Sequence, residues 1–452
     1  MIRGMRGKQN LNQSIIFMAI KELNANNYNF LKRLRVLLSK RKKSQSKNLT
    51  NVKKIIHQVK NKKDKAIYLY EKKFSKNKKI SNNFKLTSKE INSIIKKLDK
   101  KVKYAIDLSY QRIKNFHKKQ VFKSFSFKDK FNNNLSYKYQ PLESVGVYVP
   151  GGIANYPSSV LMNCIPAQVA GVKYIYMTTP LLGKKANPAV IYAAKKCGVK
   201  EIYKVGGAQA IAAMAFGTKK IKKVNKIVGP GNQYVAAAKK EMFGDVGIDM
   251  IAGPSEVMVI TDKSSNPDWV ASDLIAQAEH DKFSQSILVS SDKTLIKKIK
   301  KSINNQLKKL PKKNIAKFSL KKFGYAIYSK NLKITTEIIN EVAPEHLEIQ
   351  TIKPEKIIKN IKNAGSIFVG KYSPEAMGDY LAGPNHVLPT TGSAKFSSGL
   401  SVFDFLKRQS LIKISKTGIE RLGPYVINLA KYENLEGHAI SVKKRIKRSY
   451  FG

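Results

Sequence analysis

The chain has 452 residues, 42% of them hydrophobic, which is enough for two to four domains with sizeable cores. Two cysteines, Cys164 and Cys197, with no C-x-x-C exclude a disulfide framework and a thiolate zinc site, and they fit a reducing, cytoplasmic setting. The formal charge of +55 rests on 85 basic residues of which only 10 are Arg, the residue favoured for bidentate grip on phosphates and bases, so it reads as a lysine-rich background and not as a specific nucleic-acid site.

No apolar run approaches the roughly 18–20 residues that a membrane span needs, so no membrane partner is expected. Residues 1–17 are basic and lack apolar periodicity; they read as a non-native or disordered extension, with Met18 as an alternative start. Residues 18–144 form a helical N-terminal region, expected to pack largely on the later 257–370 block. Within it Val52, Ile55, Ile56 and Val59 mark one amphipathic face. Thr87-Ser88-Lys89-Glu90 carries a capping-box pattern, and Phe122 to Tyr139 alternates as a hairpin does. His57 and His117, in lysine-rich helices, are expected at the surface.

At Ser144 the texture changes to short strands alternating with helices. Strands are predicted at Val145–Val149, Tyr174–Thr178, Glu201–Val205, Lys226–Val228 and Ile248–Ile251, then at Val257–Ile260, Ser286–Val289, Tyr325–Tyr328, Leu347–Ile349 and Ser366–Val369. This rhythm implies an α/β fold of two similar parallel-sheet, incomplete Rossmann-like modules, spanning 145–256 and 257–398. Asn266-Pro267-Asp268 reads as a helix start, with Asn as cap and Pro at the first helical position. Residues 399–452 read as a small helical segment, too short for a core of its own.

Ligands in such sheets sit outside the carboxyl ends of the strands, and the distinctive residues are expected there. Gly206-Gly207-Ala208-Gln209 and Gly229-Pro230-Gly231-Asn232 each follow a strand and open a helix, a place where backbone N–H groups hold a pyrophosphate. Neither is G-x-G-x-x-G, and glycine at such turns is equally explained by sterics. Gln277 and His280, three apart near a helix end, present an amide oxygen and an imidazole that suit one cation; a solvated capping pair is the plainer reading. Glu345 and His346, where a loop meets a strand, supply two bases to one cleft. The stretch from Ser373 to His386, holding Asp379, is a Gly/Pro-punctuated loop too long for a mere connection. His438 lies near the C-terminus.

Ordered blocks along the chain from about Met18 resemble the histidinol dehydrogenase family. They are Tyr148-Val-Pro-Gly-Gly152, Gly206-Gly-Ala-Gln-Ala-Ile-Ala212, Gly229-Pro-Gly-Asn232, Ala252-Gly-Pro-Ser-Glu256, Gln277-Ala-Glu-His280, Ala343-Pro-Glu-His-Leu347, Gly378-Asp-Tyr380, Asn385-His-Val-Leu-Pro389 and Ser398-Gly-Leu400. The resemblance implies a Zn2+ ion held by Gln277, His280, Asp379 and, from a partner subunit, His438. It implies that Ser255, His346 and Glu433, with the metal ligands, meet L-histidinol, and that Tyr148, Gln209 and Asn232 meet NAD+. His346 is then the general base of two successive oxidations, through L-histidinal to L-histidine, and Glu345 activates water for the second. A homodimer with shared active sites follows, its C-terminal segment completing the partner's site. One departure is Asn434, where the family commonly has glycine. A zinc hydrolase on the same ligands and a lysine-rich nucleic-acid binder remain as alternatives; the first needs no nicotinamide, and the second is indifferent to metal.

Overall fold

The computed structural model describes residues 20–44, 50–75, 83–121, 123–151, 156–181, 186–311 and 313–446. The expectation for residues 1–17 lies outside the described residues. Among the described residues the strands are β1 (Lys21–Asn24), β2 (Phe125–Lys128), β3 (Asn134–Pro141), β4 (Ser144–Tyr148) and β5 (Tyr174–Thr178). They continue with β6 (Glu201–Tyr203), β7 (Lys226–Val228), β8 (Gly247–Ile248), β9 (Glu256–Thr261) and β10 (Gln285–Ser290). The last four are β11 (Tyr325–Tyr328), β12 (His346–Gln350), β13 (Ser366–Val369) and β14 (Leu406–Lys413). The chain divides into two compact units, one of residues 1–55, 230–241 and 250–399, the other of 56–229, 242–249 and 400–452.

The first unit holds a parallel six-stranded sheet in the order β1-β11-β10-β9-β12-β13. Successive strand residues point to opposite faces, and each face has its own core. Val257, Val259 and Leu288 pack against Val270, Leu274, Ile299 and Ile303 of the helices Pro267–Ala278 and Lys293–Lys309. Met258, Ile260 and Val289 pack on the other side against Leu34 of the helix Phe30–Ser44 and Ile338 of the helix Leu332–Val342. Asn266 caps the helix Pro267–Ala278, its Oδ1 accepting from the N–H groups of Asp268 and Trp269 at 2.9 and 3.3 Å.

The second unit holds a parallel five-stranded sheet, β6-β5-β4-β7-β8, and an antiparallel three-stranded one, β14-β3-β2. Both parallel sheets build outward from one strand to one side and then reverse. In the second unit β5 and β6 lie on one side of β4, with β7 and β8 on the other; in the first unit β10 and β11 flank β9 on one side and β12 and β13 on the other. That is the doubly wound order, with the reversal between β4 and β7 and between β9 and β12.

Three expectations need correction. The region 18–144 does not pack mainly on the 257–370 block. Among the described residues, β1, the helix Phe30–Ser44 and the first six residues of the helix Thr50–Phe74 join that unit, where Ile20 and Leu34 are buried in its two cores. From Ile56 onward the helices belong to the second unit, through contacts such as Tyr110 Oη to Gln168 Oε1 at 2.8 Å and Tyr192 Oη to Asp107 Oδ1 at 2.7 Å. His117 is not a surface residue. It continues the buried stripe of Ile106, Tyr110 and Ile113, with Nδ1 2.9 Å from the Ile113 carbonyl oxygen. The segment 399–452 is not wholly helical, because β14 pairs along the full length of β3 before the helices Lys416–Tyr432 and Glu436–Lys443 begin.

Candidate active site

In the first unit the chemistry gathers at the amino ends of β9 and β12, and not at the carboxyl ends where the sheet class led us to expect it. β12 starts at His346 and β9 at Glu256, and the two strands are paired. The reason is local. Helix Pro267–Ala278 runs back along the sheet after β9, so its last turn, with Gln277, returns to the strands' amino edge. The Ala343-Pro344-Glu345 turn delivers its side chains to the same edge, and Ala343 caps the preceding helix in the left-handed region, at φ 47°.

Hydrogen bonds fix the bases. His346 Nδ1 lies 3.0 Å from the Glu256 carbonyl oxygen, so that nitrogen carries the proton and donates, leaving Nε2 as a lone-pair acceptor. Glu345 Oε2 accepts from the Glu256 N–H at 2.9 Å and lies 3.7 Å from His346 Nδ1. One residue, Glu256, thus orients both candidate bases through its two backbone groups. Glu256 is itself held by Arg41, which is buried, ion-paired to the Glu256 carboxylate, and donates to the Pro254 carbonyl at 2.7 Å and the Phe283 carbonyl at 2.9 Å. Ser255, one residue earlier, accepts from the Gln285 N–H at 3.0 Å through its carbonyl, which seats it at the same edge.

The metal-ligand candidates of this unit lie in the same cluster. Gln277 is buried and faces Glu375; its amide nitrogen belongs on that side, 3.0 and 3.2 Å from the carboxylate oxygens, since its oxygen there would meet only acceptors. That orientation commits Nε2 and leaves Oε1 for a cation. Asp379 follows in the helix Glu375–Tyr380, with Oδ1 3.4 Å from His386 Nδ1. His280 falls just past the helix end, not within it, its N–H 3.4 Å from the Gln277 carbonyl oxygen. Among the described residues no group of three or more His, Cys, Asp or Glu forms a metal cluster. The set Gln277, His280 and Asp379 supplies one amide, one imidazole and one carboxylate, which leaves room for a fourth ligand.

Electrostatics sort these groups. Burial holds the His346 imidazolium down, and the charge of Asp379 and the Glu256 carbonyl do not offset it, so the ring favours its neutral form. Burial pushes Glu345 well above the usual carboxylate range against the Glu256 N–H, with the charges of Glu256 and Asp379 adding. Glu375 rises for the same first reason, reinforced by Asp379, Glu348 and Glu345. Burial also pushes Asp379 up, but its hydrogen bond to His386 and the charges of His386, His346 and His280 outweigh that, and it stays below its ordinary value. A carboxylate kept ionised among imidazoles suits a cation.

The second unit brings Tyr148 and Gln209 together at the carboxyl edge of its sheet. Tyr148 ends β4, and its hydroxyl accepts from the Gly207 N–H at 3.1 Å. Glu71, buried in the helix Thr50–Phe74, accepts from the Gly206 N–H at 3.0 Å and from Gln209 Nε2 at 2.8 Å on one oxygen. The amides of Gly206 and Gly207 are therefore satisfied from within the protein, beside a carboxyl group, which leaves neither of them for a pyrophosphate. The Gly229 N–H likewise donates to Asp249 Oδ2 at 2.8 Å, and a Cβ at Gly229 would collide with the Tyr148 carbonyl oxygen. Asn232 caps the helix Gln233–Met242, with Oδ1 3.0 and 3.2 Å from the N–H groups of Tyr234 and Val235. Glu433 and His438 are both exposed on the C-terminal helical pair. Asn434 between them takes φ 58°, the left-handed region that glycine enters freely and asparagine tolerates.

Sequence reasoning gave no role to Arg41, Glu71, Glu256, Glu375 or His386. Glu375 and His386 lay inside the punctuated Ser373–His386 stretch, and that context was their signal. Arg41 and Glu71 sit in lysine-rich helices whose composition hides them.

The sequence profile described as "Histidinol dehydrogenase" matches residues 38–446. The histidinol dehydrogenase of Pelagibacter ubique is 58% identical over 430 residues, which cover 95% of this chain and 100% of that protein. The histidinol dehydrogenase of Agrobacterium fabrum is 47% identical over 410 residues, covering 91% of this chain and 95% of that one. The crystal structure of histidinol dehydrogenase from Elizabethkingia anophelis is similar with a TM-score of 0.89 at 38% identity, over 95% of this chain and 98% of that one.

Proposed function

From the premise that this chain belongs to the histidinol dehydrogenase family, we propose that it oxidises L-histidinol to L-histidine in two NAD+-dependent steps at a zinc-containing site. The observation that carries the mechanism is the 3.0 Å hydrogen bond from His346 Nδ1 to the Glu256 carbonyl, which leaves Nε2 free to take a proton. In the first step His346 Nε2 removes the alcohol proton as the carbon gives up hydride. In the second step Glu345 takes a proton from water as it adds to the aldehyde, while the protonated His346 returns its Nε2 proton to the carbonyl oxygen to give the gem-diol; His346 then takes that proton back as the second hydride leaves. NAD+, met by Tyr148, Gln209 and Asn232, supplies the hydride acceptor in both steps.

Gln277, His280 and Asp379, with the partner's His438, would hold the zinc ion. The donor set fits: Gln277 has only its oxygen to offer, and His386 helps to keep Asp379 ionised. The ion would supply Lewis acidity and a fixed anchor for the substrate's imidazole and amine. Ser255 and Glu433 complete the substrate contacts.

A homodimer is supported by the helix Lys416–Tyr432, whose Tyr425, Leu429 and Tyr432 are 69%, 64% and 88% exposed at spacings of four and three. Such an apolar stripe calls for a covering surface. No helix among the described residues is long and apolar enough to cross a membrane.

The test is NADH absorbance with L-histidinol and NAD+. Two NADH formed per histidinol consumed is the expected result. Turnover without nicotinamide would favour a zinc hydrolase, and salt-sensitive DNA binding without NADH formation would favour the lysine-rich binder; either overturns the reading.

A further inference from the structure

Within the second unit, the buried Glu71 makes its bonds through one carboxylate oxygen to two groups of a turn more than 130 positions away in sequence. Oε1 accepts from the Gly206 N–H at 3.0 Å and from Gln209 Nε2 at 2.8 Å. Only 4% of Glu71 is exposed, and Gln209 is 2% exposed, so neither side chain is free to reorient. The other end of Glu71's helix segment is fixed too: Ala66 and Ile67 are fully buried, and Asp64 Oδ1 accepts from Thr218 Oγ1 at 2.6 Å. A rigid helix thus presents one acceptor to the glycine turn.

The consequence lies in polarity. The Nε2 bond to the Glu71 carboxylate fixes the orientation of the Gln209 amide, so that Oε1 is the acceptor it turns to a ligand. Tyr148 accepts from the Gly207 N–H, and its own hydroxyl hydrogen is what remains to donate. An unmatched backbone N–H, the usual partner of a phosphate at such a turn, is absent at both Gly206 and Gly207. We propose that Glu71 is a positioning residue for dinucleotide binding: it locks the turn so that Gln209 Oε1 is presented as an acceptor beside the Tyr148 hydroxyl as a donor. That pair matches a neutral group carrying both a donor and an acceptor, such as a ribose diol or a carboxamide, and disfavours a phosphate. The inference rests on the reading that Tyr148 and Gln209 meet NAD+.

The experiment compares wild type, Glu71→Met and Glu71→Gln as full-length, zinc-loaded proteins. Met has similar reach without an acceptor, whereas Gln keeps one oxygen able to accept both bonds. Glu71→Met should raise the Kd and KM for NAD+ roughly tenfold or more, the loss expected when a buried donor is orphaned, with kcat at saturating NAD+ and the KM for L-histidinol little changed. Glu71→Gln should restore binding to near wild type. In a double-mutant cycle, Glu71→Met and Gln209→Met should be clearly less than additive, because the first acts through the second. If Glu71→Met does not fold, by its thermal unfolding midpoint, Glu71→Asp takes its place, since the shortened carboxylate withdraws from both donors.

ADP-ribose as a competitor separates the ligand sources. Weakening of both ADP-ribose and NAD+ assigns the pair to a ribose diol, and weakening of NAD+ alone assigns it to the carboxamide. Unchanged NAD+ affinity in a folded Glu71→Met protein overturns the proposal while leaving the NAD+ reading intact. Parallel weakening of inorganic pyrophosphate competition also overturns it, because the turn would then be a phosphate site. Failure of the wild type to bind NAD+ overturns both.

Discussion

A histidine acts as a base when one ring nitrogen is committed to donating and the other keeps its lone pair. His346 meets that condition through the Glu256 carbonyl, and burial keeps the ring from charging. Replacing it with Asn should depress both oxidations by about 10²–10⁴-fold, the usual worth of a general base. Glu345→Gln should spare hydride transfer from histidinol and slow the aldehyde step; single-turnover measurements with histidinal check this, and equal losses in the first half-reaction would contradict it. The pH dependence has a definite sign. His346 sits below its ordinary value, so its neutral form persists as pH falls; Glu345 sits well above its own, so its anionic form is the first to be lost. Acidification should therefore slow histidinal oxidation before the histidinol step, and superimposable pH–rate profiles would refute the assignment. At the metal, His280→Ala should lower bound zinc and turnover together, as read by metal analysis beside the assay; full activity in a zinc-free preparation would remove zinc from the proposal.

Elements were legible where a single pattern decided them. β5, β7, β11 and β13 span the residues expected for them, and the capping box at Thr87 is formed, with the Thr87 N–H 2.7 Å from Glu90 Oε2. Elements decided by distant partners were not legible. β1 is four residues long and gains its stability by pairing with β11, some 300 positions later. β14 has seven of its eight residues exposed and reads as nothing in particular until β3 offers its ladder. His117 looked exposed because lysines surround it in sequence, although its spacing of four from Ile113 puts it on the buried face. The site was legible as residue types and illegible as geometry: nothing local shows that Glu256 binds both bases through its backbone, or that the chemistry takes the amino edge of one sheet. Asn434 offers a test at this scale. In the left-handed region, Asn434→Gly should leave zinc content and thermal stability unchanged. Asn434→Val, forced into a conformation that costs a side-chain-bearing residue roughly 1–2 kcal/mol, should lower both, because the turn that presents Glu433 and His438 would shift. Equal behaviour of the two variants would show that this turn does not set the ligand's position.

For the molecule as a whole, the proposed zinc site takes its fourth ligand from the partner chain. Gln277, His280 and Asp379 belong to one compact unit, whereas His438 lies exposed in the C-terminal pair of helices. That pair has only a small core of Ile427, Ala430, Ala439 and Ile446, and it leaves Tyr425, Leu429 and Tyr432 uncovered. A two-fold dimer gives two identical composite sites if each takes Glu433 and His438 from the other chain. Complementation reads this directly. His346→Asn protein and His438→Ala protein should each be inactive alone. After subunit exchange, one site of each heterodimer collects both lesions and the other collects neither, so activity should return, to about half of the wild-type value per heterodimer on symmetry grounds. Zinc should follow the same arithmetic, because only the doubly damaged site lacks a ligand. If exchange is verified by mass and no activity returns, each site carries one lesion and His438 serves its own chain.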